Sequence, residues 1–268
     1  AGQVRTLEQQ VAYALGFPRV LPVAGQTYPR KIDTDVLTTL AQIGSSTAKF
    51  AVDLRLLAHD RELEEPFGAA QIGSSAMPFK RNPMRAERIG SLARALTQLV
   101  GNGFETASNQ WLERTLDDSA NRRLVLSEAF LLVDSILLLV DDVASGLVVN
   151  EAVVRANLDR ELPFLAAEPI LMSAVRAGGD RQVLHEELRQ LTHAAVRRLK
   201  DGEPHELPAA LRAHPTFGQL DLDALLDPSN PIHLGAAVEQ TNAFLTDHLD
   251  PFLAQKQDVT PPAGAVRV

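Results

Sequence analysis

Residues 31–58 read KIDTDVLTTLAQIGSSTAKFAVDLRLLA. Apolar side chains fall at Ile32, Val36, Leu37, Leu40, Ile43, Phe50, Leu54 and Leu57, the spacing that places them on one face of an α-helix. The stretch is long for a globular helix. Small residues in its middle, Gly44, Ser45, Ser46 and Ala48, leave room for a neighbouring helix to come close. A long helix with an apolar face needs partners to cover it, so this segment predicts a bundle.

Downstream the period stops. Residues 64–81 carry Pro66, Gly68, Gly73, Ser74, Ser75 and Pro78 and read as a loop whose glycines suggest mobility. A helix restarts at Asn82-Pro83, an N-cap residue followed by Pro in the first turn; it is expected to run to about Val100 and stop at Gly101 to Gly103. After a polar break at 106–119, a strongly apolar helix is predicted from Ala120 to about Ala144, ended by Gly146. Upstream, Val4 to Leu15 reads as a short helix closed by Gly16, followed by a Pro-containing stretch to Pro29.

Beyond Val148 the elements shorten. Asn150 caps a helix to Asp159, a second runs from Phe164 to Ala177, Asp180 caps a third to about Lys200, and a last spans Leu234 to Leu253. No strand alternation and no internal repeat is visible. The chain is therefore expected to be all-α. Residues 1–147 would be part of a central long-helix bundle with a mobile serine loop at about 64–82, residues 148–254 a smaller helical domain, and residues 255–268 a solvated tail.

Composition narrows the function. Aromatics make up only 5% of the 268 residues, so the core must be built from Leu, Val, Ile and Ala, a mix that favours helix. There is no cysteine, which excludes disulfides, thiolate metal sites and cysteine nucleophiles and fits a reducing compartment. A net charge of −8 and a pI near 5.4 argue against nucleic-acid partners. The most apolar run, Ala129 to Val140, is broken by Asp134 and stopped by Asp141 and Asp142, too short and too charged to span a membrane. The chain opens at Ala1 without an initiator Met and already in helical pattern, which suggests a fragment or a processed product.

Two segments carry chemistry. The first is Gly73 to Arg88, GSSAMPFKRNPMRAER. Residues 80–88 hold four Lys or Arg against one acid, in a chain with 26 such cations in all. They sit where a flexible loop enters a helix N-terminus, whose exposed N–H groups and dipole already favour anions. Either this is an anion site, or it is a solvated charged face. The second segment is Gln110 to Arg123, QWLERTLDDSANRR. Ser119 and Arg123 are one helical turn apart and share a face; with Arg114 they could clamp a phosphate through guanidinium forks and a hydroxyl. Equally, Asp117, Asp118 or Ser119 could cap the helix, with Arg114 and Arg123 paired to the acids.

The run Gly-Ser-Ser-x-Met-Pro-x-Lys-x-Asn-Pro resembles the shared motif of the fumarase and aspartase superfamily. The longer form from Ser74 to Glu87, together with Gln26-Thr27-Tyr28, Arg30-Lys31, the block from Gln110 to Arg123 and Glu161-Leu162-Pro163-Phe164, resembles the adenylosuccinate lyase family in particular. The likeness extends from the first helix to about Phe252. It implies β-elimination of fumarate from adenylosuccinate and from succinyl-aminoimidazole-carboxamide ribotide in purine synthesis. It further implies a cytoplasmic homotetramer acting on a phosphorylated dicarboxylate, with no metal and no cofactor.

By the same resemblance Ser74 is the general base, with Ser75 the adjacent candidate. Lys80 and Asn82 hold the succinyl carboxylate, and Gln26, Arg88, Arg114, Ser119 and Arg123 bind the rest of the substrate, phosphate included. A serine base needs its alkoxide stabilised, and a nearby ammonium and loop N–H groups lower its pKa. The family's general-acid histidine lies in an N-terminal part that this sequence does not contain. The seven histidines here fall outside the matching motifs and read as surface or core residues. Two alternatives remain: another lyase or cycloisomerase of the superfamily, or a non-catalytic helical oligomerisation fragment.

Overall fold

The computed structural model describes residues 2–68, 71, 76, 77 and 79–255. Two compact units part between Asn150 and Glu151. The first holds α1 (Gly2–Ala14), α2 (Lys31–His59), α3 (Met84–Ser108) and α4 (Asp118–Ser145), with two short strands, β1 (Leu63–Glu64) and β2 (Val148–Val149). The second holds α5 (Glu151–Leu165), α6 (Ala167–Arg176), α7 (Arg181–Lys200), α8 (Leu207–Ala213), α9 (Leu222–Leu225), α10 (Ala237–Phe244) and α11 (Asp250–Ala254). The all-α expectation holds, apart from the single two-residue ribbon.

The helices α2, α3 and α4 pack as an antiparallel bundle. The apolar positions that set the period of α2 are all buried or half-buried. Leu37, Leu40 and Leu54 meet Ile89, Ala93 and Leu96 of α3 and Val125, Ala129, Leu132, Ile136 and Val143 of α4. Burying each large aliphatic side chain contributes about 1.5–3 kcal/mol.

The bundle is tight where glycine allows it. A Cβ on Gly44 would lie 2.8 Å from Leu96 Cδ2, and one on Gly103 would lie 3.0 Å from Thr34 Cα. This corrects the expected end of α3. The helix runs through Gly101–Gly103 to Ser108, and Gly103 serves close approach to α2 instead of termination.

Other boundaries also move. The start of α3 is capped from a distance: the buried Glu65 carboxylate accepts from the backbone N–H of Arg85 at 3.0 and 3.1 Å and of Ala86 at 3.1 Å. The helix boundary falls at Pro83, not Asn82. The first turn of α4 begins at Asp118, ahead of Ala120, because Asp118 is buried and paired. The ribbon pairs Leu63 with Val149 and Glu64 with Val148, and the N–H of Asn150 donates to the Glu62 carbonyl at 2.9 Å. It fastens the end of α2 to the end of α4, and two residues are too few for alternation to show in sequence.

In the second unit Ile170, Leu171, Leu184, Leu188, Leu207, Leu211 and Phe217 form a separate core. Asp180 caps α7 as expected, accepting from Gln182 and Val183 N–H at 2.9 and 3.0 Å. The helix α5 passes through the buried Pro163 to Leu165 instead of ending at Asp159, since burial of Leu162 and Pro163 outweighs the lost backbone bond. The last helix starts at Ala237, not Leu234, and widens into a π turn at Leu245–Leu249.

Candidate active site

The described residues singled out from sequence fall toward the two ends of the bundle. Residues before α2, at the end of α3 and at the start of α4 build the first end. There Arg30, Arg114, Asp118, Ser119, Arg122 and Arg123 line a cavity of about 360 Å³. Arg114, Ser119 and Arg123, expected to clamp a phosphate, are thus brought together.

The pairing of Arg114 and Arg123 with Asp117 or Asp118, the alternative read from sequence, is not found among the described residues; Asp118 and Asp33 pair with other arginines. Arg30 Nε lies 2.5 Å from Asp118 Oδ2, with both side chains almost fully buried. Arg122 Nε lies 2.5 Å from Asp33 Oδ2. The Tyr28 hydroxyl donates to Asp33 Oδ1 at 2.7 Å and accepts from Arg122. The guanidinium of Arg30 sits over the Tyr28 ring, 4.7 Å from its centroid. Arg114 and Arg123 are exposed and make no ion pair among the described residues, so their charge is available to a ligand.

These contacts set the ionisation of the cluster. Burial raises the Tyr28 pKa, and the hydrogen bond to Asp33 raises it further. Burial alone would push Asp33 up, but hydrogen bonds from Arg122 and Tyr28 outweigh it and hold the carboxyl below its usual value. The hydrogen bond to Asp33 raises Arg122. The cavity is thus a cationic site with four arginines in its lining, where Asp118 also lines the wall but is engaged by Arg30, and Asp33 is engaged by Arg122. At an effective dielectric of 20, each cation 4 Å from an anionic ligand is worth roughly 4 kcal/mol before desolvation. Gln26 is exposed on the segment leading into this end, but it does not line the cavity.

The second end joins the close of α2 to the start of α3. Lys80 and Asn82 line a cavity of about 460 Å³ with His59, Glu64, Glu65 and Arg81. Arg81 Nη1 is 2.8 Å from Glu64 Oε2 and its guanidinium lies 5.2 Å from the Phe67 ring centroid. The Lys80 side chain is exposed, with no ion pair among the described residues. Arg88 stands exposed on the first turns of α3. Ser74 and Ser75, and the tail from 256, lie outside the described residues.

The two ends cannot share one substrate within a chain. The helix α3 alone has 25 residues, roughly 37 Å at 1.5 Å per residue, more than a nucleotide-sized ligand spans. Sequence reasoning also missed Arg30, Arg122 and His59. Arg122 lies three residues from Ser119, a spacing that shares a helix face; Arg30 and His59 sit where a helix pair turns, which no local pattern marks.

Comparison with known proteins fits this arrangement. Residues 5–101 match the family model described as lyase, and residues 163–244 match that of the adenylosuccinate lyase C-terminus. The adenylosuccinate lyase of Schizosaccharomyces pombe is 48% identical over 94% of this chain and 52% of its own length. That of Saccharomyces cerevisiae is 46% identical over 91% and 51%. The crystal structure of 3-carboxy-cis,cis-muconate lactonizing enzyme from Pseudomonas putida superposes with a TM-score of 0.72 at 26% identity, covering 90% of this chain and 53% of that one. The helical bundle is that of the fumarase and aspartase superfamily of lyases. Within it, the chain belongs to the adenylosuccinate lyase family. The chain spans about half the length of the curated relatives it matches.

Proposed function

We propose that this chain forms part of an adenylosuccinate lyase, releasing fumarate by β-elimination from adenylosuccinate and from succinyl-aminoimidazole-carboxamide ribotide in purine synthesis. The observation that carries the reading is the convergence of Arg114, Ser119 and Arg123 on one cationic cavity, the arrangement a phosphorylated substrate needs. In this reading Ser74, or Ser75 beside it, removes a proton from the succinyl Cβ as the C–N bond breaks. Lys80 and Asn82 hold the carboxylate whose charge grows in the transition state, and charge-matched donors fixed in advance favour that state over the ground state. Gln26 and Arg88 bind the remainder of the substrate. The acid that protonates the leaving nitrogen comes from the part of the protein that the relatives have beyond this chain.

In this reading the active species is an assembly of copies, the Lys80 end of one facing the Arg114 end of another, which the separation of the two ends within one chain supports. Exposed Leu124, Phe130, Leu131 and Leu137 on α4 supply an apolar face for that contact. A homotetramer in the cytoplasm fits the family; among the described residues no helix is long and apolar enough to cross a membrane.

The test is direct. The chain alone should turn over adenylosuccinate at least about 10²–10⁴-fold more slowly than an intact relative, because a positioned acid is missing. A chimera joining the uncovered part of the fission-yeast relative to this chain should release fumarate. If the chimera folds, assembles and releases none, the lyase reading is wrong.

A further inference from the structure

Arg30 lines the cationic cavity beside Arg114, Ser119 and Arg123, yet no motif placed it there. It is 6% exposed, and Nε alone is engaged, by Asp118 at 2.5 Å. Its two terminal nitrogens make no hydrogen bond among the described residues. Neither terminal nitrogen is among the fully buried polar atoms left without a partner, so both open on the cavity, where a ligand can accept from them. Arg122 differs: Asp33 and Tyr28 hold its Nε and one terminal nitrogen.

We propose that Arg30 binds the anionic group of the ligand in this cavity directly, and that Asp118 is its positioning residue, fixing Nε so that the two terminal nitrogens face the anion as a fork. The proposal deepens the reading of this cavity as the phosphate site and rests on it. Two features make the device specific. The carboxylate lies on the Nε side, so it orients the guanidinium without occupying the edge that meets a phosphate. The Tyr28 ring beneath the guanidinium plane restricts it further, as stacking on an aromatic face does.

The consequence runs against simple charge counting. Removing a negative charge beside an anion site should strengthen binding. If Asp118 positions Arg30, removing that charge weakens it.

The experiment is calorimetric titration of the 268-residue chain with inorganic phosphate and with AMP, adenosine serving as the phosphate-free control. Arg30→Gln should weaken AMP binding at least tenfold and leave adenosine unchanged. Arg30→Lys, which keeps the charge and loses the fork, should recover only part of that loss. Asp118→Asn should weaken AMP binding severalfold. Because opening a buried pair can unfold a protein, the double variant Arg30→Met with Asp118→Leu is included. It should keep the wild-type circular dichroism and melting profile and still lose phosphate binding.

If wild type binds AMP in preference to adenosine but the Arg30 variants bind equally well, the assignment of Arg30 is overturned while the cavity stays a phosphate site. Tighter binding by a folded Asp118→Asn overturns the positioning role. A wild-type chain that makes no distinction between AMP and adenosine overturns this proposal and the phosphate site together.

Discussion

The two ends of the bundle differ in what their buried carboxylates hold. At the Arg114 end, buried Asp33 and Asp118 grip Arg122 and Arg30 at Nε, with Tyr28 joining them. At the Lys80 end the buried carboxylate, Glu65, is spent on the backbone of α3, and the Lys80 ammonium stands exposed. One end is a cationic cavity with two arginines fixed by buried carboxylates; the other is a well-anchored helix start beside a lysine with no ion pair among the described residues. The difference fits a division of labour. A phosphate is bound with the same charge throughout the reaction, so its site can be rigid. On the proposed reading, the succinyl carboxylate gains further negative charge as the proton leaves, so its site gains from completing itself around the transition state.

The largest expected effect separates those roles. If Ser74 is the base, as proposed, Ser74→Ala in the full-length protein should lower kcat by at least about 10²-fold with KM nearly unchanged, because the hydroxyl would act mainly in the transition state. Arg123→Ala should raise KM more than it lowers kcat, if the phosphate is gripped equally in both states. Steady-state kinetics on the two variants reads both. Similar KM and kcat profiles would erase the distinction between the ends, and loss of activity on Ser75→Ala alone would move the base by one residue.

The next effect is on folding. Glu65→Ala leaves two N–H donors of α3 without an acceptor and strips the buried Arg85 of a carboxylate at 3.7 Å. It should cost about 2–4 kcal/mol in urea unfolding, between the cost of a lost cap and that of a broken buried pair. A cost under about 0.5 kcal/mol, the scale of a surface change, would show that Glu65 does not anchor this end.

Smaller still, Gly103→Ala should destabilise by about 1–2 kcal/mol: overpacking against the Thr34 backbone outweighs the roughly 1 kcal/mol gain in helix propensity. Gly44→Ala should cost less, since it meets the tip of the Leu96 side chain, which can turn aside. Equal costs would mean that the bundle closes no more tightly at Gly103 than at Gly44.

The smallest effect is titratable. Asp33 has its folded pKa below its ordinary value of 3.8, so the unfolded chain takes up the proton first as pH falls. Its contribution is present above about 3.8 and lost as pH drops through the folded pKa. Urea midpoints measured downward from pH 5 should therefore fall for wild type and fall less for Asp33→Asn. Parallel curves would show that Asp33 is not held ionised by Arg122.

Much of this was legible in the sequence. The period of α2 buried where it pointed, Asp180 capped α7, and Arg114, Ser119 and Arg123 converged as their motif implied. What stayed hidden was non-local. Glu65 caps a helix from across a turn, Arg30 meets Asp118 across the bundle, and Gly103 looks like a terminator until Thr34 is seen against it. A spacing rule reports which face a residue takes on its own helix. It says nothing about which end of another helix that face meets, so the splitting of the site residues into two distant groups appears only in the fold.

That splitting is the central claim, and subunit mixing tests it most directly. Assayed with adenylosuccinate well below KM, so that kcat/KM is read, full-length Lys80→Ala and Arg123→Ala homomers should each be nearly inactive. Dissociated, mixed in equal amounts and reassociated, they should form some sites that draw the intact Lys80 end from one copy and the intact Arg123 end from another. Random assembly predicts recovery to roughly a quarter of wild-type activity in a closed homo-oligomer of this kind. A mixture no more active than the mean of its parents, with hybrid assembly verified by native mass spectrometry, would mean that each chain builds its site alone and would contradict the account.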